Sequence, residues 1–272
     1  MNYIWSDFNH ESEMSQTQIK AKQVNGPDYW PTMRKVFEHD TATLPLSRFR
    51  LWASIHNVPL VTTGRVARFL GAAFDAAMKD EKVAYALREN WIGIPESQNT
   101  FLKVADDFDT SMQRVQNVAH LAICGFTPEM LQGYKSIVEI GGGYGDMCSV
   151  VHDMGFTGEY TIYDFPEVQN VQRYYLEKQD IACNFATEPS ELEKADLVIA
   201  TWSLSEIPID FRETIMDRII DSQSWLVMYQ AKIFGTIDNE EYFKEKFKDR
   251  DPTYMLHNET TADGKNTYMV IK

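Results

Sequence analysis

The sequence predicts an α/β fold: a doubly wound, mostly parallel sheet closed by an antiparallel hairpin, behind an N-terminal helical region. Three observations predict it. From Tyr134 onward, short apolar runs alternate with helical patterns, as in βαβ units whose sheet is covered on both faces. After the fifth run, a charged helix leads into two strand-like stretches around the turn Ala262-Asp263-Gly264-Lys265. Before Tyr134 the texture is different, with irregular sequence followed by long helical periods.

In chain order, the first 60 residues are punctuated by Pro27, Pro31, Pro45 and Pro59. Residues 64–89 and 101–124 carry apolar positions at helical spacing and are expected to be long helices, with a Gly- and Pro-marked loop at 91–97 between them. Thr127, Pro128 and Glu129 spell a helix start: a capping hydroxyl, proline at the first position and an acid in the first turn. Strands are expected at 136–140, 160–163, 195–200 and 225–229, with a weaker one at 181–185. Helices are expected at 146–154, 166–179, 210–222 and 239–250, and the closing hairpin at 254–260 and 266–271. The division that follows is a helical cap or substrate region at 1–130 and a ligand-binding sheet domain at 131–272.

Composition narrows the function. The 272 residues allow one large domain or a small plus a medium one. A formal charge of −14 argues against nucleic acid or an anionic membrane as the main partner, because both call for a basic face. No apolar run approaches the roughly 18–20 residues of a membrane span, and the first residues show neither a basic nor an apolar leader region. Cys124, Cys148 and Cys183 are too few and too widely spaced for a disulfide framework or a zinc site. No metal site is expected elsewhere, and the expectation is a reduced, cytoplasmic protein with a small-molecule partner. Homo-oligomerisation is left open.

The most informative stretch is Val138-Glu139-Ile140-Gly141-Gly142-Gly143-Tyr144-Gly145-Asp146, where a strand runs through a glycine turn into a helix. Without Cβ atoms in the way, such a turn lets backbone approach a ligand closely. A dinucleotide site would place its third glycine at 146, which is Asp146; the glycines instead stand at 141, 143 and 145, two residues after Glu139. An acid opening the helix also competes with phosphate for the same amides, so a ligand without phosphate fits better. Asp164 ends the second strand 23 residues after Gly141, where an acid is placed to accept hydrogen bonds from ribose hydroxyls.

This combination resembles the class I S-adenosylmethionine (SAM)-dependent methyltransferases, which have a Rossmann-like sheet. More narrowly, Ile137–Gly145, Tyr160–Val168 and Trp202-Ser203-Leu204-Ser205-Glu206 resemble the sugar O-methyltransferase family of bacteria. The resemblance implies SAM as cofactor and a sugar or sugar conjugate as acceptor. It implies that the turn Gly141, Gly142, Gly143, Tyr144 and Gly145 faces the methionine part, with Glu139 holding the loop and the amino group. Asp164 would take the ribose diol, Phe165 would pack on adenine, and Asn184, expected at the end of the third strand, would lie by the adenine edge.

In doubly wound sheets the crevice lies outside the carboxyl ends of the strands. Thr201 and Trp202 therefore border the place where a methyl is delivered. The Asn/Asp-Pro-Pro-aromatic pattern of DNA base methylases is not there. Trp202 and Tyr144 would flank a sulfonium, whose attraction to an aromatic face is about 0.5–2 kcal/mol; core packing accounts for Trp202 equally well. Arg114, sharing a helical face with Asn117 and His120, is a candidate partner for the cofactor carboxylate. An alkyl hydroxyl needs a base, and Glu206 and His257 are the candidates. His257 is favoured because its ordinary pKa near 6.5 suits neutral pH, with Glu206 orienting it or the acceptor. N-methylation of an amino sugar, O-methylation of another natural product, a non-catalytic SAM-binding scaffold and an NAD-dependent oxidoreductase compete with this reading. Asp146 disfavours the last.

Overall fold

Strands buried on both faces need continuous apolar runs, and the central runs of this chain meet that demand. The computed structural model describes residues 29–52, 77–90, 103–105, 108–233, 237–257 and 266–272, with positions 75, 92 and 93. Its main sheet has seven strands: β1 Ser136–Ile140, β2 Glu159–Tyr163, β3 Asn184–Ala186, β4 Leu197–Thr201, β5 Ser224–Gln230, β6 Thr253–His257 and β7 Asn266–Ile271. Their order is β6-β7-β5-β4-β1-β2-β3. The pairs among β1 to β5 are parallel, and β7 lies antiparallel between β5 and β6. This is the Rossmann-like sheet with its closing hairpin; the hairpin turn at 262–265 and the strand residues 258–260 lie outside the described residues.

Alternation along each strand divides the core in two. Ile137, Ile162, Leu197, Ile199, Leu226 and Met228 face one layer, and Val138, Ile140, Val198, Ala200, Trp225 and Val227 the other. Each Val, Leu, Ile or Met among them, fully buried, contributes roughly 1.5–3 kcal/mol. The first layer contains α5 Asp146–Asp153 and α6 Pro166–Glu177; the second contains α8 Ile209–Ile219 and α9 Asn239–Lys246. Among the described residues no helix is long and apolar enough to cross a membrane.

The N-terminal region departs from the expected pair of long helices. It holds α1 Tyr29–Thr43, the short α2 Glu81–Ala86, α3 Met112–Ile123 and α4 Pro128–Gly133. Of the helix expected at 64–89, residues 64–74 lie outside the described residues. The rest is interrupted at 78–80, where Asp80 caps α2 by accepting from the amides of Lys82 and Val83. Of the helix expected at 101–124, residues 103–105 and 108–109 instead pair as a small antiparallel ribbon. The helix starts only after Ser111, whose hydroxyl accepts from the Arg114 amide at 3.1 Å. Ser and Thr favour caps over helix interiors, so Thr110-Ser111 ends the apparent period. The start at Thr127-Pro128-Glu129 is as expected.

Candidate active site at the carboxyl edge of the sheet

The strand order reverses between β1 and β4, and the crevice at such a switch point is where open α/β sheets bind ligands. The glycine turn stands there. Gly141 has a φ of +75°, and a Cβ on it would meet the Ser203 Cβ at 2.3 Å, so the turn and the start of α7 Ser203–Glu206 touch only because glycine is present. Gly143 differs: its φ is +56°, and among the described residues nothing lies within 4 Å of an added Cβ.

Asp164 clamps this turn. One carboxylate oxygen accepts from the Gly142 amide at 3.0 Å and from Gln172 Nε2 at 2.7 Å; the other accepts from the Phe165 amide at 2.8 Å. Gln172 also donates to the Gly143 carbonyl at 3.0 Å. Burial lifts the Asp164 carboxyl to about 6 against the pull of these donors. Glu139, 2% exposed inside β1, accepts from the Tyr160 hydroxyl at 2.9 Å. Burial, with Asp164 and Asp146 nearby, pushes its carboxyl up to about 8.

Three expected cofactor residues stand elsewhere. The Arg114 donors are engaged inside the protein: Nε to the Ala86 carbonyl at 2.6 Å, Nη1 to Asp146 at 3.0 Å and Ser149 at 2.8 Å, and Nη2 to Asp153. The shared face with Asn117 and His120 is real, but it looks onto Asp146, to which Asn117 donates at 2.8 Å, and onto Tyr268. Tyr144 donates to Glu89 at 3.0 Å, and its ring lies 4.7 Å below the Arg50 guanidinium, which itself pairs with Glu89. Asn184 begins β3 instead of ending it, pairing with Thr161, so the tip of that strand is Ala186.

Thr201 ends β4, and Trp202 follows in a rarely populated conformation, φ 66° and ψ −37°. Its amide donates to the Met228 carbonyl at 2.7 Å and its indole to Asn266 Oδ1 at 3.2 Å. The His120 ring stands edge-on to it at 5.3 Å, and His120 Nδ1 lies 2.6 Å from the Tyr268 hydroxyl. Glu206, at the end of α7, is partly buried and accepts from Trp30 Nε1 of α1 at 2.8 Å. Burial pushes its carboxyl up to about 7; burial of Tyr29, with the nearby Glu206 charge, pushes the Tyr29 hydroxyl up to about 12. Trp30 also stands 6.1 Å from the Phe165 ring. The backbone of His257 closes β6 opposite Asn266, on the same edge of the sheet.

Sequence reasoning missed α1 and the His120–Tyr268 pair. Residues 176 and 148 positions apart meet there, and no local spacing announces such contacts.

No family model matches the chain, and no curated protein matches it. Among solved structures it is similar to protein 1320 of Thermoplasma acidophilum, at 12% identity over 58% of this chain and 89% of that one, with a TM-score of 0.43. It is similar to the ribosomal protein L11 methylase of Lactobacillus delbrueckii subsp. bulgaricus, at 13% identity over 58% and 78%, TM-score 0.41. It is also similar to the mitomycin 7-O-methyltransferase, at 15% identity over 90% and 84%, TM-score 0.41.

Proposed function

We propose that this chain is a SAM-dependent methyltransferase that methylates a hydroxyl of a small molecule, a sugar or sugar conjugate. The observation that carries the reading is the turn at the end of β1. Among the described residues, its Gly143 has nothing within 4 Å of the place a Cβ would take, close to the Asp164 carboxylate and where the sheet order reverses. A Cβ would fill that space, so the turn fits a ligand that backbone approaches closely. Gly141, Gly142, Gly143, Gly145, Glu139, Asp164 and Phe165 would hold the cofactor, with Thr201 and Trp202 beside its reactive end. When bound, SAM supplies a methyl group on a sulfonium for in-line transfer.

The chain's own part is orientation and proton removal. An alkyl hydroxyl does not ionise at neutral pH, and a positioned base contributes roughly 10²–10⁴-fold. Glu206 takes that role in this proposal, because burial brings its carboxyl to about 7, near the pH at which it must work. His257, on the same edge of the sheet, is the second candidate. Trp202 is held by three elements in a strained conformation beside the crevice and shapes the acceptor side.

Calorimetry with SAM, S-adenosylhomocysteine (SAH) and NAD tests the cofactor. SAM and SAH are expected to bind and NAD not to; binding of NAD alone overturns the reading. Turnover of SAM to SAH over a panel of glycosides then tests the acceptor, and SAM binding without turnover on any hydroxyl would leave a scaffold.

A further inference from the structure

We infer that Trp30 of α1 is a positioning residue shared by the two halves of the site, coupling the seat at Phe165 to the carboxylate of Glu206. The inference rests on the proposed function and extends it to a segment outside the sheet. Phe165 stands two residues past the end of β2, as the cap of α6, and Glu206 closes the helix after β4. Trp30 reaches both: its indole N–H donates to Glu206 Oε2 at 2.8 Å, and its ring stands 6.1 Å from that of Phe165, tilted by 47°.

The spacing of the two rings carries the coupling. A planar group stacked between two rings needs about 3.5–4 Å on each side, so roughly 7–8 Å between the rings. The Trp30–Phe165 separation is shorter. A ligand ring that takes this side of Phe165 therefore displaces Trp30 and stretches or breaks its bond to Glu206. One turn further along α1, the Arg34 guanidinium lies 4.6 Å over the same Phe165 ring and pairs with Glu167 at 2.9 Å. Met33, Val36 and Phe37 pack with Val168 at the start of α6. Trp30 and Arg34 thus ride on one helix anchored to α6, and they respond together. Tyr29 is the titratable neighbour that α1 brings to Glu206. Loss of the indole donor removes a hydrogen bond that favours the Glu206 carboxylate, so displacement of Trp30 raises the proton affinity of that group.

The test is nitrogen-15 NMR of the indole N–H groups of the full chain, whose six tryptophans give countable signals. Trp30→Phe assigns the signal by its disappearance. In the unmodified chain the Trp30 signal is expected to titrate with pH, to stop titrating in Glu206→Gln, and to shift on saturation with SAH. A cycle of SAH affinities by calorimetry supplies the second readout: Glu206→Gln is expected to change Kd at least threefold with Trp30 present and not with Trp30→Phe. SAH binding that leaves the Trp30 signal and the cycle unmoved overturns the coupling alone. No SAH binding at all overturns the proposed function, and the coupling with it.

Discussion

Gly143 is the residue at which loss of function and loss of fold separate most cleanly. It is exposed, its φ of +56° disfavours any Cβ by roughly 1–2 kcal/mol, and among the described residues nothing beyond its chain neighbours lies within 4 Å of the added carbon. Gly143→Val is therefore expected to abolish SAH binding while lowering the thermal midpoint only slightly. Unchanged SAH affinity in a folded variant would show that the turn is not the seat. Glu206 gives the second residue-scale prediction. Its deprotonated form accepts the proton, so with a pKa of about 7 kcat/KM should rise between pH 6 and 8 and fall away on acidification. Glu206→Gln should remove that limb and cut kcat by about 10²-fold or more; a Glu206→Gln enzyme that keeps both would move the role to His257, tested by His257→Ala. Glu139, Asp164 and Glu206 were legible as an acid before a glycine turn, an acid at a strand tip and an acid after β4. Their pKa values were not, because burial is a property of the assembled layers.

Among the elements, α3 carries a buried ion pair. Its Arg114 is 1% exposed and satisfies Asp146, itself 2% exposed, at the start of α5. Removing one partner of a buried pair leaves the other charge uncompensated, at a cost of about 3–5 kcal/mol. Arg114→Met should lower stability by that order in urea unfolding, and Arg114→Met with Asp146→Leu should recover part of it. If the double variant is no better than the single, the pair does not act as a unit. This network also explains why Arg114 was misplaced: its charge and helical face were readable, but its partners lie 32 and 39 residues away. The central strands were legible to within about two residues, because burial on both faces writes an apolar run; the edge strand, expected at 181–185, runs Asn184–Ala186 and is only partly buried, so its sequence carries a weaker signal. The N-terminal helices were less so. Val104, Ala105 and Phe108 suit a helical stripe and a strand equally, and only the Ser111 cap decides where α3 begins.

At the scale of the molecule, the division at residue 130 is crossed by one continuous core. Phe49, Leu87, Val115 and Leu121 belong to the same buried cluster as Tyr144, Val150, Ile162 and Tyr175. Polar groups cross it as well. Glu89 accepts from Tyr144 at 3.0 Å and from Tyr175 at 3.1 Å, and Asp146 depends on Arg114 and Asn117. A fragment starting at residue 131 would expose that apolar face, and Asp146 would lose both its cation and its amide donor. Buried groups left without partners cost about 1–3 kcal/mol each, and more when charged, which is comparable with the 5–15 kcal/mol that holds a domain together. The full chain is therefore expected to unfold in urea in a single transition, with tryptophan fluorescence and far-ultraviolet circular dichroism coinciding. The fragment 131–272 is expected to show no cooperative transition and no SAH binding, although it contains the whole sheet. The glycine turn lies between Tyr144 and Asp146 on one side and β1 on the other, so its shape depends on both regions. A fragment that folds and binds SAH as tightly as the full chain would show that residues before 131 serve the acceptor alone.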